Sequence, residues 1–243
     1  MQPHIISKSD IHKIDFSKEC VIIKEFFTSN ECTEVSEFLK KFKKHNEENF
    51  KSDGENWHYT VKSNGNCFQT FIFNELCGIN FLPLVNMYQS LFNLYIDLGE
   101  CNNMNTFAKQ IATNDFSTNK RIINPLVFSY PVGLSNFGWH KHDIRAQKFQ
   151  LLANLSIPEF DYTGGETFVY MAEGKPDKQE NSEEKCVIFD KKFDQGDIFS
   201  FPYGKWHKVN PTESSKVKNG QRTSMLMPLG ARNSEQYKNE FLD

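Results

Sequence analysis

From Leu126 onward the chain breaks into short β-like runs separated by turn residues, and this punctuation limits the architecture more than any other feature. The candidate strands are Leu126 to Tyr130, Phe149 to Leu155, Thr167 to Met171, Cys186 to Phe189, Asp197 to Phe201 and Thr223 to Met227. Several short strands at this spacing predict a sandwich or a barrel. Such a structure needs a large apolar interior, and 38% hydrophobic residues with 23 Phe in a chain of 243 provide it. The stretch from Gly174 to Lys185 is too polar and too charged to bury, which predicts an external loop.

Before Leu126 the pattern is different. Val21-Ile22-Ile23 reads as a short strand. Thr28 and Glu31 then make a capping box, in which hydroxyl and carboxylate each satisfy a free backbone N–H, so a helix is expected to begin there. Val35, Phe38, Leu39 and Phe42 recur at helical spacing and place one apolar stripe against a core. A second helix is expected with Pro83 in its first turn, Leu84, Met87, Leu91 and Leu94 or Tyr95 as its stripe and Gly99 as its left-handed stop. The polar segment from His45 to Asn66 between them reads as a surface excursion. No linker signal divides the chain, so one domain over 1–243 is expected, with a strand-plus-helix part at 1–125 and a β core at 126–230.

Charge and cysteine usage narrow the function classes. A formal net charge of -3 gives no general attraction to phosphate backbones or anionic lipid. The N-terminus lacks the pattern of a secretory signal, and no apolar run approaches membrane-spanning length, so a soluble, cytoplasmic protein with no membrane or nucleic-acid partner is expected. The six cysteines are scattered with no C-x-x-C pair, which predicts free thiols.

Two segments carry the chemistry. His140 and His142 sit two apart in Trp139-His140-Lys141-His142-Asp143, so on an extended strand their side chains leave the same face and converge on one ion. His207 follows the run Gly196-Asp197-Ile198-Phe199-Ser200-Phe201, and Arg222 and Ser224 lie beyond it. A single histidine is more often a core or surface residue. Three of the seven histidines in two strand-like segments point instead to a metal.

At this point the chain resembles a known group. Tyr130-Pro131-Val132-Gly133, Phe137-Gly138-Trp139-His140, Leu155-Ser156-Ile157-Pro158 and Asp161-Tyr162-Thr163-Gly164-Gly165-Glu166-Thr167 look like the core of the prolyl-4-hydroxylase-like iron(II)/2-oxoglutarate dioxygenases. The tail, with Gly196-Asp197, His207-Lys208-Val209-Asn210-Pro211 and Gly220-Gln221-Arg222-Thr223-Ser224, is similar too and comes in the expected order. The resemblance covers about Leu126 to Leu229. It implies an α+β fold with a mainly β core, a double-stranded β-helix or jelly roll with the N-terminal helices packed on it. It implies Fe(II) as metal, with 2-oxoglutarate and O2 as co-substrates. His140 and His207 would be iron ligands, and Arg222, an always-charged fork, would pair with the distal carboxylate of 2-oxoglutarate beside Ser224 and Tyr130. Gly164 and Gly165 would provide a turn and a close backbone approach rather than chemistry. Trp139 and Trp206, each preceding a presumed ligand, are candidates for the pocket wall. Tyr162 and the remaining histidines, His4, His12, His45 and His58, read as structural or solvated.

The chain departs from the group at the third ligand. The usual pattern is His-x-Asp, completing a two-histidine-one-carboxylate face. Here His142 holds the matching position and Asp143 follows it. Strand alternation favours His142. Electrostatics favours Asp143, because a carboxylate offsets the charge of Fe(II) better than a neutral imidazole, and a bulge would turn it inward. The implied activity is hydroxylation of an amino-acid-like small molecule or of a peptide or protein side chain, with release of succinate and CO2. Two rivals remain: a cupin-like three-histidine dioxygenase that does not use 2-oxoglutarate, and a jelly-roll binding module without catalysis.

Overall fold

A computed structural model describes residues 1–46, 58–63, 66–72, 81–99, 122–123, 126–133, 136–142, 147–177, 181–189, 193–226 and 229–230. Eight strands form the larger sheet. In spatial order they are β1 (His4–Ile6), β2 (Val21–Ile23), β11 (Ile198–Pro202), β8 (Phe149–Asn154), β13 (Gln221–Leu226), β6 (Leu126–Pro131), β4 (Asn66–Ile72) and β3 (His58–Ser63). The smaller sheet runs β10 (Cys186–Phe189), β9 (Thr167–Tyr170), β12 (Trp206–Val209), β7 (Phe137–His140). A two-stranded ribbon pairs β5 (Ile122–Ile123) with β14 (Leu229–Gly230). Pairing is antiparallel throughout, except between β1 and β2.

All six strands expected from the sequence form, within a residue or two of their expected ends. The expected surface excursion is in part a strand, since β3 occupies residues 58–63 within it. Tyr59 and Val61 alternate there with polar residues, which is the period of a half-wet strand.

Alternation along the strands divides the core into two layers. Phe149, Leu151 and Ala153 of β8 face outward, with Val127 and Met225, onto the helices α1 (Ser29–Asn46) and α2 (Leu82–Asp97). The helices contribute Val35, Leu39, Leu84, Met87, Leu91 and Tyr95 to that layer. The capping box forms as expected: the Thr28 N–H donates to Glu31 Oε2 at 2.8 Å, and the Glu31 N–H donates to Thr28 Oγ1 at 3.3 Å. The two aromatic hydroxyls of α2 then meet the sheet backbone. Tyr88 Oη donates to the Leu126 carbonyl at 2.7 Å, and Tyr95 Oη accepts from the Leu151 N–H at 3.0 Å, satisfying buried groups that would otherwise be costly.

Between the sheets, one cluster gathers Ile22, Val169, Val187, Phe189, Phe193, Phe199 and Phe201, and a second gathers Leu126, Phe128, Tyr130, Phe137, Val209 and Leu226. The turn into β11 is fixed by two devices. Gly196 has φ +89, and a Cβ there would lie 2.1 Å from the Phe27 carbonyl oxygen, so only glycine fits. Asp197, fully buried, accepts from Lys24 Nζ at 2.6 Å and from the backbone N–H groups of Glu25 and Asp194 at 2.8 and 2.6 Å. Removing that charge leaves Lys24 with the Asp194 carboxylate, 2.7 Å away, and gives the two amides a neutral acceptor in place of a charged one. Asp197→Asn is therefore expected to cost about 3 kcal/mol, read as a lowered denaturation midpoint; a loss under about 1 kcal/mol would show the network to be dispensable.

The described cysteines Cys20, Cys32 and Cys186 are buried and form no disulfide; Cys67, Cys77 and Cys101 have no described side chains. Among the described residues no helix is long and apolar enough to cross a membrane.

Candidate metal centre

Strand pairing brings the two histidine segments together. His140 closes β7 and His207 lies in β12, and in the antiparallel register the two are direct partners. His142 follows two residues later, beyond the end of β7. The ligand atoms of His140, His142 and His207 all lie within 4.8 Å of one another, a cluster fit for one ion. Asp143, the alternative third ligand, lies outside the described residues.

Backbone carbonyls set the tautomer of two of the imidazoles. His140 Nδ1 contacts the Gly138 oxygen at 2.8 Å and His207 Nδ1 contacts the Lys205 oxygen at 3.0 Å. A carbonyl can only accept, so each Nδ1 carries the proton and each Nε2 presents a lone pair to the cluster. Aromatic rings flank all three. Phe137 stacks on His140 at 3.7 Å, Tyr203 stacks on His142 at 4.5 Å, and Phe201 lies tilted 4.6 Å from His207.

Burial keeps His140 and His207 neutral. Removal from water, reinforced by His142, drives the His140 imidazole down to about 3, opposed by its bond to Gly138. His207, 5% exposed, falls well below the ordinary histidine value through burial and then through His140 and His142. Neutral imidazole is the form that binds a metal. The same shifts make the metal-free protein acid-sensitive. Histidines protonate freely in the unfolded chain near pH 6.5 but resist protonation when folded, so stability is complete above that pH and declines as pH falls toward 3. Unfolding midpoints between pH 7.5 and 5 are expected to show a loss of about 2 kcal/mol for a fully buried histidine, which His207→Ala removes. An unchanged slope in that variant would contradict the assignment.

The cluster opens into a cavity between the sheets, walled by Phe128, Phe137, Leu152, Phe201, Val209 and Leu226. Arg222 and Ser224, two apart on β13, share its interior face with Tyr130. Arg222 is 1% exposed and lies among the rings of Tyr130, Phe193 and Phe199, with its guanidinium carbon 5.4 to 6.0 Å from their centroids. Its Nη2 donates to Thr167 Oγ1 at 2.8 Å, and the Tyr162 hydroxyl also bonds to the guanidinium. Nε and Nη1 are buried without a partner, as is Ser224 Oγ, and no described carboxylate pairs with Arg222. Burial raises both the Tyr130 and the Tyr162 hydroxyls, Tyr162 to about 12, so both keep their protons. A buried cation facing a cavity with open donors and no counter-charge is the complement of a small carboxylate.

Gly164 and Gly165 have φ +66 and +68, and a Cβ on either would press against Pro211 or Thr212, as the turn and close approach expected of them require. Trp139 and Trp206 are not among the cavity's lining residues. Each neighbours a histidine of the cluster on a strand and so faces the other way, packing with Phe168, Tyr170 and Cys186 on the outer side of the smaller sheet, under Lys208 and Lys141. Thr167, Gln150 and Tyr203 were not singled out from the sequence. Strand alternation through the Gly165-Glu166-Thr167 run carries the signal for Thr167; nothing local marks the other two.

No protein-family model matches the sequence, and no curated protein does. Solved structures do match in three dimensions. A Pseudomonas putida prolyl-4-hydroxylase superposes with a TM-score of 0.52 at 12% identity, over 87% of this chain and 92% of that one. A prolyl hydroxylase from Trichoplax adhaerens, solved with a hypoxia inducible factor peptide fragment, gives 0.51 at 13%, over 91% and 87%. The non-heme alpha-ketoglutarate-dependent epimerase SnoN of nogalamycin biosynthesis gives 0.51 at 11%, over 92% and 84%. With its two facing sheets and its helices on the outer face of the larger one, the chain shares the double-stranded β-helix fold of these structures.

Proposed function

We propose that the chain is an Fe(II)/2-oxoglutarate-dependent oxygenase in which His140, His142 and His207 hold the iron and Arg222, with Ser224 and Tyr130, holds the distal carboxylate of 2-oxoglutarate. The observation that carries this reading is the unpaired, buried Arg222 guanidinium in the same cavity as the three-histidine cluster. Imidazole donors suit iron among a few first-row metals, and a fork with two open N–H groups suits a carboxylate.

The chemistry such a pair supplies when bound is oxidative decarboxylation of 2-oxoglutarate to succinate and CO2, coupled to oxidation of a substrate C–H bond; hydroxylation is the outcome proposed. The chain's residues do the rest. Thr167 fixes one arm of Arg222 and leaves the other donors facing the cavity. Tyr130, protonated, is a hydrogen-bond donor beside it. Phe137, Phe201, Val209 and Leu226 exclude water, which strengthens every charge interaction inside. An amino-acid-like molecule or a peptide or protein side chain is the proposed substrate, a reading supported by the prolyl hydroxylase solved with a peptide. The presence of His142 in the cluster gives some support to a second reading, a three-histidine oxygenase that dispenses with 2-oxoglutarate.

Adding 2-oxoglutarate to the anaerobic Fe(II) protein separates these. Direct chelation of the keto acid is expected to produce a visible charge-transfer band. Iron bound with no band would favour the second reading, and no iron bound at all would leave a binding module.

A further inference from the structure

The third ligand is placed differently from the other two. His140 and His207 belong to paired strands and bond to backbone carbonyls. His142 lies outside the ladder, and its ring stacks on Tyr203 at 4.5 Å with 20° between the planes. Tyr203 is itself rigidly placed. It is 1% exposed, it starts the turn from β11 to β12, and its N–H donates to the Lys148 carbonyl at 2.9 Å. Lys205, which orients His207, ends that same turn, closed by its N–H donating to the Pro202 oxygen at 3.1 Å.

Stacking fixes the plane of an imidazole, and the plane determines where its nitrogens point. Here the His142 ring stands nearly edge-on to His140, at 81° and 5.1 Å, and 4.8 Å from His207. The face of such a ring positions an imidazole, whereas an aspartate carboxylate, short and charged, does not stack on it. We infer that Tyr203 is a positioning residue for the third metal ligand, and that the turn from Tyr203 to Lys205 is one template that aims both His142 and His207. This rests on the metal-site reading above and explains why histidine stands at position 142.

Co(II), whose visible spectrum reports coordination, is the probe. Titrations of wild type, Tyr203→Phe and Tyr203→Leu are expected to show affinity retained in the phenylalanine variant and reduced roughly tenfold in the leucine variant, with a changed band shape. Tyr203→Met, which keeps the bulk without the ring, serves if leucine lowers the folded yield. The decisive comparison is made in a His142→Asp background, where Tyr203→Leu should no longer matter. Equal losses in both backgrounds would reduce Tyr203 to a packing residue. An unaffected Tyr203→Leu would overturn this inference alone, whereas a wild type without a cobalt spectrum would overturn the metal-site reading with it.

Discussion

Replacing Arg222 with methionine is expected to abolish 2-oxoglutarate binding while leaving the unliganded protein as stable as before, or more so. The two effects have one origin. A full positive charge is held among Tyr130, Phe193 and Phe199 with only neutral hydroxyls, those of Thr167 and Tyr162, bonded to it and no acceptor on Nε or Nη1. Burying a charge without a partner costs several kcal/mol, and apolar replacements of such groups are often neutral or stabilising by about 1–4 kcal/mol. A dicarboxylate repays that cost, so its loss should raise the dissociation constant by about 100-fold or more, the equivalent of about 3 kcal/mol. The check is a pair of thermal melts with and without 2-oxoglutarate. Wild type should rise with the ligand, and Arg222→Met should start at the same temperature or higher and not move. A methionine variant that unfolds, or one still stabilised by 2-oxoglutarate, would show Arg222 to be a structural cation.

The second large effect concerns the metal. His207→Ala is expected to reduce Fe(II) affinity by about 1,000-fold, because β12 places this imidazole directly opposite His140 and no other described titratable side chain joins the cluster. His142→Ala should approach the same loss, with Asp143→Ala close to wild type. Anaerobic iron titration checks all three. The reverse pattern, Asp143 essential and His142 dispensable, would restore the two-histidine-one-carboxylate face.

How far the sequence alone could reach is clearest in particular residues. Thr28 and Glu31 announce α1 because a capping box is local chemistry, complete within four residues. The six core strands read from the sequence show for the same reason: each is an apolar run bounded by turn residues and can be read by itself. β7 and β12, no shorter than β9 and β10 but interrupted by Gly138 and by Lys208, are not among them, although they hold His140 and His207. That these histidines face each other is a matter of register, which no single segment contains. Parity along a strand, applied to Trp139 and Trp206 as it was to His140 and His142, does place the tryptophans on the outer face. Tyr203 is beyond any such rule. It reaches His142 only because the turn after β11 folds over the end of β7, a contact between segments some sixty residues apart with no motif to mark it.

One consequence follows from how β7 is held. Its described pairing is with β12, and the register of that pairing shifts between His207 and Val209. Irregular pairings open more readily than regular ladders, so the amides along the β7–β12 seam should exchange with solvent sooner than those of the regular β12–β9 pairing. An ion held by both strands would then act as a rivet across that seam of the barrel. Loading the site would slow exchange there most of all, and emptying it would let the seam breathe.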